Sequence, residues 1–125
     1  MSQANVELVR SIHRLWNEGQ PAWHLIDANL QYVNPSNAVE SGTRVGRSAL
    51  NRVREVYPDF HIEPERFVDA GEEVVVVGIA RGTSASGVEA EWRQGYVWTV
   101  RDGKAVRFRW FNNPKEALEA VGHAV

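Results

Sequence analysis

This sequence predicts an α+β fold, and three observations predict it. Apolar residues recur at helical spacing in the first half of the chain and at alternate positions in the second half. Two tight-turn signals, Ala70-Gly71-Glu72 and Asp102-Gly103, join long β-type runs directly, which makes the joined strands antiparallel. Helices therefore gather at the start and strands at the end. The expected object is a curved, mostly antiparallel sheet wrapped around N-terminal helices. A cavity lies between them, and residues 1–125 form a single domain.

The first helix is predicted over residues 3–17. Leu8, Val9, Ile12, Leu15 and Trp16 form its apolar stripe. Gly19 suits the left-handed cap that ends it. Pro21 opens a brief second helix over 21–26. Residues 30–33 read as a strand, stopped at Asn34-Pro35 because the residue before proline is held extended. A polar loop over 36–45 follows. A third helix over 47–56 places Leu50, Val53 and Tyr57 on one side and ends at Tyr57-Pro58. Residues 60–68 form a strand in which Pro64 marks a bend or an edge position. Strands over 73–81, 88–100 and 105–111 follow. The middle one is long enough to twist or bulge, with Gly95 as the expected place. Asn113 caps a last helix, with Pro114 at its first position and Glu116 completing a capping box. Gly122 ends it.

Composition excludes several function classes. Fourteen basic against 16 acidic residues give a net charge of -2, without the basic excess of a nucleic-acid footprint. No cysteine is present, which removes disulfides, thiolate nucleophiles and Cys-type zinc sites. No metal and no cofactor are expected. The start is polar and no apolar run approaches membrane-spanning length, so neither a signal peptide nor a membrane partner is expected and a cytoplasmic location is.

The strands carry the functional signal. Trp92, Gln94, Tyr96 and Trp98 share one face of one strand, and Phe108, Trp110 and Asn112 share one face of the next. Five Trp in so short a chain suit a cavity walled by rigid aromatic surfaces. Trp16, Tyr32 and Tyr57 are further wall candidates, while Phe60 and Phe108 read as plain core. The polar groups expected in the cavity are Asn34, Gln94, Tyr96 and Asn112, with no carboxylate among them. Such a lining suits a small apolar molecule held by hydrogen bonds to a carbonyl or hydroxyl.

Several segments in order resemble a SnoaL-like member of the nuclear transport factor 2-like (ketosteroid isomerase-like) superfamily. They are Asn5-Val6-Glu7-Leu8-Val9-Arg10, Asn17-Glu18-Gly19, Asn34-Pro35, Val45-Gly46-Arg47, Phe67-Val68-Asp69-Ala70-Gly71, Val97-Trp98-Thr99-Val100-Arg101-Asp102-Gly103-Lys104 and the closing Lys115-Glu116-Ala117-Leu118-Glu119-Ala120-Val121-Gly122. The resemblance implies an α+β cone and commonly a homodimer. It implies no particular reaction, because isomerases, hydrolases, dehydratases, cyclases and non-enzymes share this scaffold.

The superfamily's acids are replaced here. Where a ketosteroid isomerase carries its aspartate base before a proline, this chain has Asn34, and an amide cannot accept a proton near neutral pH. The oxyanion-hole positions look like Ile12 and Tyr96. Of the Asp-Arg-Asp set of a limonene epoxide hydrolase, one Asp position appears as Trp110 and the others fall in the apolar run 74–78. The Asp and His pair of polyketide cyclase-like members has no evident counterpart.

Two readings stay open. One is an enzyme (an isomerase, cyclase, dehydratase or hydrolase) in which Tyr96 and Asn34 are the catalytic candidates. The other is a non-catalytic binding protein or dimeric scaffold. A base would come from His13, His24, Glu40 or a tyrosine, although all four histidines, His61 and His123 included, read as exposed or boundary residues. The opposite strand face, with Arg93, Val97, Thr99, Arg107, Arg109 and Phe111, reads as the homodimer surface. Arg107 and Arg109 are expected to pair with Glu89 and Glu91 rather than to bind an anion.

Overall fold

A computed structural model describes residues 3–38 and 41–123. Helix α1 spans Gln3–Asn17, a 3₁₀ turn covers Trp23–Leu25 and strand β1 runs Ile26–Asn34. Strand β2 is Gly42–Val45, followed by a second 3₁₀ turn, Arg47–Asn51, and the short helix α2, Val53–Val56. Strands β3 (His61–Ala70), β4 (Glu73–Thr83), β5 (Glu89–Arg101) and β6 (Lys104–Phe111) precede helix α3, Pro114–Ala120. The sheet order is β2-β1-β6-β5-β4-β3. Only β1 and β6 pair in parallel, so the sheet is mostly antiparallel. The architecture is the α+β cone, with a strongly curved sheet around the N-terminal helices.

The concave face buries α1. Val6, Val9 and Ile12 meet Val74, Val76, Tyr96, Trp98 and Phe108 in one continuous core. The convex face has a second, smaller core: Val68, Val75 and Val97 lie under Ala117 and Leu118 of α3. Val74 to Val77 are all buried because the two helices cover opposite faces of β4. Part of the outer face expected to form a dimer surface is thus covered by the chain's own last helix.

Gly95 explains how α3 comes so close. A Cβ there would stand 2.5 Å from the Ala117 Cβ and 3.0 Å from the Pro114 Cα. Gly95 pairs regularly with Val77 and Phe111, so it packs a helix and makes no bulge; the register shift of β5 falls at Thr99/Val100 instead. Asn113 Oδ1 accepts from the Lys115 amide at 2.9 Å, the expected cap, but no return bond from Glu116 forms among the described residues. Pro64 lies on an edge strand whose register shifts between Pro64 and Arg66.

Other expectations are corrected. The predicted third helix is split into a 3₁₀ turn and one turn of α-helix, with a break at Arg52. The second helix is a single 3₁₀ turn. The polar loop contains β2, an exposed edge strand with little apolar alternation to reveal it. Arg107 and Arg109 do not pair with Glu89 and Glu91, which lie opposite Thr83 and Arg81 of β4 beyond the end of β6. They converge on Glu73, at 3.7 Å and 2.8 Å.

Candidate functional site

Alternation along β5 and β6 aims Trp92, Gln94, Tyr96, Phe108, Trp110 and Asn112 into the cone, with Tyr96 opposite Trp110 and Trp98 opposite Phe108. Tyr32 enters this row from β1, where it pairs with Phe108. Trp16 comes from the end of α1, Val53 from α2, Tyr57 from just after it, and Phe60 and Ile62 from the start of β3. Together they enclose a cavity of about 270 Å³. Tyr57 reaches the wall because it lies against Gly82, where a Cβ would stand 2.7 Å from its own. Its ring then meets Trp92 edge to face at 5.2 Å.

Of the ten residues expected at the site, Trp16, Tyr32, Tyr57, Trp92, Gln94, Tyr96, Trp110 and Asn112 line this cavity. Asn34 stands behind the wall. Its Oδ1 accepts from Trp110 Nε1 at 2.7 Å and its Nδ2 donates to the Gly42 carbonyl at 3.3 Å, so it fixes the Trp110 ring. Trp98 lies deeper, fully buried, with Phe108 packed on it at 4.5 Å. It lines a neighbouring cavity of about 250 Å³. Phe60 and Phe108 are core residues whose surfaces also line the main cavity.

The polar groups inside are neutral and already in contact. The Tyr96 hydroxyl donates to Gln94 Oε1 at 2.8 Å. Burial pushes the Tyr96 phenol well above its ordinary pKa, with Tyr32 adding to the effect. Burial pushes Tyr32 up to about 12, partly opposed by Arg52. Both phenols are hydrogen-bond donors at neutral pH and supply no base. Asn112 Nδ2 lies 3.4 Å from Asn37 Oδ1, a long contact at the mouth. No carboxylate or imidazole is among the residues described as lining this cavity.

His13 corrects the expectation of four exposed or boundary histidines. It is 1% exposed, and its Nε2 accepts from Trp98 Nε1 at 3.0 Å. That bond places the imidazole proton on Nδ1, which has no partner among the described residues. Burial lowers its pKa from 6.5 to about 4, so it is neutral at physiological pH. The signal was in the helix: Val6, Val9, His13 and Trp16 follow one face. His13 stands 6.2 Å from the Tyr96 ring, centroid to centroid, but bonds to Trp98 and not to the hydroxyl. His24 is exposed on the first 3₁₀ turn, His61 lies outside beside Asp59 and Glu63, and His123 neighbours Arg66. Glu40 lies outside the described residues. No group of His, Asp and Glu suited to a metal ion occurs among the described residues.

Comparison with known proteins fits this geometry. The sequence pattern of the SnoaL-like domain matches residues 9–108. No curated protein matches the chain. Among solved structures, a nuclear transport factor 2-like protein of unknown function from Burkholderia pseudomallei is 22% identical, covers 98% of this chain and 99% of its own, and superposes with a TM-score of 0.74. A SnoaL-like polyketide cyclase, so named provisionally, from a Jannaschia species is 20% identical over 100% and 98%, TM-score 0.73. TerC, co-crystallised with polyporic acid, is 23% identical over 95% and 98%, TM-score 0.74. At these identities the likeness is one of fold. No helix among the described residues is long and apolar enough to cross a membrane.

Proposed function

The chain belongs to the SnoaL-like domain family, and from that premise we propose that its aromatic cavity binds a compact apolar molecule bearing a carbonyl or hydroxyl, by recognition and without proton transfer. One observation carries the reading: the Tyr96–Gln94 pair is a hydrogen-bonded polar pair in a cavity lined mostly by aromatic and aliphatic side chains. With the phenol donating to Gln94 Oε1, the amide NH₂ is free to donate to a ligand and the phenol oxygen to accept. With the amide turned over, the hydroxyl donates and Oε1 accepts. Either way the pair offers one donor and one acceptor, the complement of a carbonyl or an alcohol. The cavity volume of about 270 Å³ lies just below the roughly 300–1,000 Å³ of drug-sized sites, hence a compact occupant. A protein of the same fold crystallised with polyporic acid supports a small-molecule role.

The test uses acetophenone, 1-phenylethanol and ethylbenzene, followed through the indole N–H resonances. The first two are expected to bind about 2–10-fold more tightly than the hydrocarbon, the worth of one net hydrogen bond, and to shift Trp92 and Trp110. Removing both polar groups, Gln94→Leu with Tyr96→Phe, erases the difference. Equal affinity for ethylbenzene in the unaltered protein overturns the reading.

A homodimer in the cytoplasm belongs to the same proposal. On the convex face, two guanidiniums share the single carboxylate of Glu73, and Thr99 Oγ1, Arg107 Nε and Arg109 Nε are buried without partners among the described residues. A second copy seated on the part that α3 leaves bare would supply acceptors. Light scattering at twice 14.1 kDa supports this assembly, and a monomer at micromolar concentration contradicts it.

A further inference from the structure

A second cavity, of about 250 Å³, lies between the end of α1 and the two 3₁₀ turns. It shares Trp16 with the main cavity and is otherwise distinct in chemistry. Trp16, Trp23 and Trp98 give it flat apolar walls, and Gln20, Asn51 and Arg54 give it a polar side. The guanidinium of Arg54 is held in place. Its Nη2 donates to the Trp16 and Phe60 carbonyls at 2.9 Å and 3.2 Å, its Nε donates to Phe60 at 3.3 Å, and the group lies 5.0 Å over the Trp16 ring.

What Arg54 lacks is a counter-charge. Arg10, Arg14, Arg81, Arg93, Arg101, Arg107 and Arg109 each have a glutamate within ion-pairing distance. Arg54 has none among the described residues, and its Nη1 donates to no protein group there. Arg47, on the far side of the same cavity wall, repeats the pattern. It lies 5.5 Å over the Trp23 ring and donates to the Trp23 and Ile26 carbonyls, with no carboxylate beside it among the described residues. Backbone carbonyls orient these guanidiniums but do not neutralise them, so the cavity that Trp16 and Trp23 border carries a positive potential. Burial also lowers the Arg54 pKa, as for a cation partly stripped of water.

We propose that this second cavity binds a small aromatic carboxylate, with the carboxylate on Arg54 Nη1 and the ring between the tryptophan faces. A planar ring matches the indole walls. A single free guanidinium nitrogen with flanking amides suits a monoanion better than a phosphate dianion. The site is distinct from the Tyr96–Gln94 cavity, with which it shares only the Trp16 wall.

Benzoate and its neutral counterpart benzamide are the probes, and the five indole N–H resonances report position. Benzoate is expected to bind about tenfold or more tightly than benzamide, the effect of a charge-assisted bond. It should shift Trp23 and Trp98 while Trp92 and Trp110 stay in place. Arg54→Gln removes the preference and Arg54→Lys keeps most of it. Because Arg54 also ties two carbonyls, the comparison of the two probes on the unaltered protein decides the matter if the variants fold poorly. Equal affinities, no saturable response, or shifts confined to Trp92 and Trp110 overturn the proposal. The acetophenone titration, read on Trp92 and Trp110, stands or falls separately.

Discussion

The two faces of the sheet are built from alternate residues of the same strands, yet they hold opposite chemistries. On the concave face β5 presents Trp92, Gln94, Tyr96 and Trp98, all uncharged. On the convex face the same strand presents Arg93, paired to Glu65 at 2.7 Å, and Thr99, beside the Arg107–Glu73–Arg109 cluster. Charges stay where water or an opposite charge can compensate them, and neutral hydrogen-bonding groups go into the low-dielectric cone. The inside therefore presents neutral hydrogen-bonding groups, and no carboxylate or imidazole is among the described residues that line it.

The comparison breaks most visibly on the concave side. Trp98→Ala should cost about 3–5 kcal/mol in urea unfolding, since it empties the deepest part of the core and removes the side-chain bond that His13 makes to it. A loss under about 1 kcal/mol would mean that Trp98 is wall and not core.

Next comes acid. The folded pKa of His13 is depressed to about 4 from 6.5, so the unfolded chain binds its proton first as pH falls. The stability contributed by the neutral imidazole is present above 6.5 and is lost between there and about 4, a total of about 3 kcal/mol. His13→Gln keeps an acceptor for the Trp98 indole and should flatten that part of the stability–pH curve. An unchanged slope in the variant would show that His13 is not buried neutral.

The convex side should be more tolerant. In dilute, monomeric protein, Glu73→Gln removes the carboxylate that Arg107 and Arg109 share at the surface and should cost about 1 kcal/mol or less in low salt, fading as salt is added. At concentrations where the proposed second copy covers the cluster, the loss should be larger and less dependent on salt, and an equal loss at all concentrations would contradict that seat.

How much of this was legible in the sequence depends on the residue. Trp92, Gln94, Tyr96, Trp110 and Asn112 were readable because strand alternation is local and a tight turn fixes the pairing of β5 with β6. That same turn already placed Glu89 and Glu91 beyond the reach of Arg107 and Arg109, a consequence of register that the expected pairing overlooked. His13 was missed because it flanks exposed Arg14, although it is four residues on from buried Val9. The convex seat of α3 was not readable, since Gly95 looks the same in a bulge as under a helix. The second cavity is assembled from Trp16, Trp23, Arg54 and Trp98, which no local pattern links.

The central claim is that the main cavity recognises its ligand with neutral groups alone. The affinity for acetophenone, measured from about pH 6.5 to 9, tests it most directly, because Tyr32 and Tyr96 titrate above that range and His13 below it. The account predicts an affinity constant within about twofold across the range. A sigmoidal or bell-shaped profile with a several-fold change would reveal a titrating group in the cavity and contradict it.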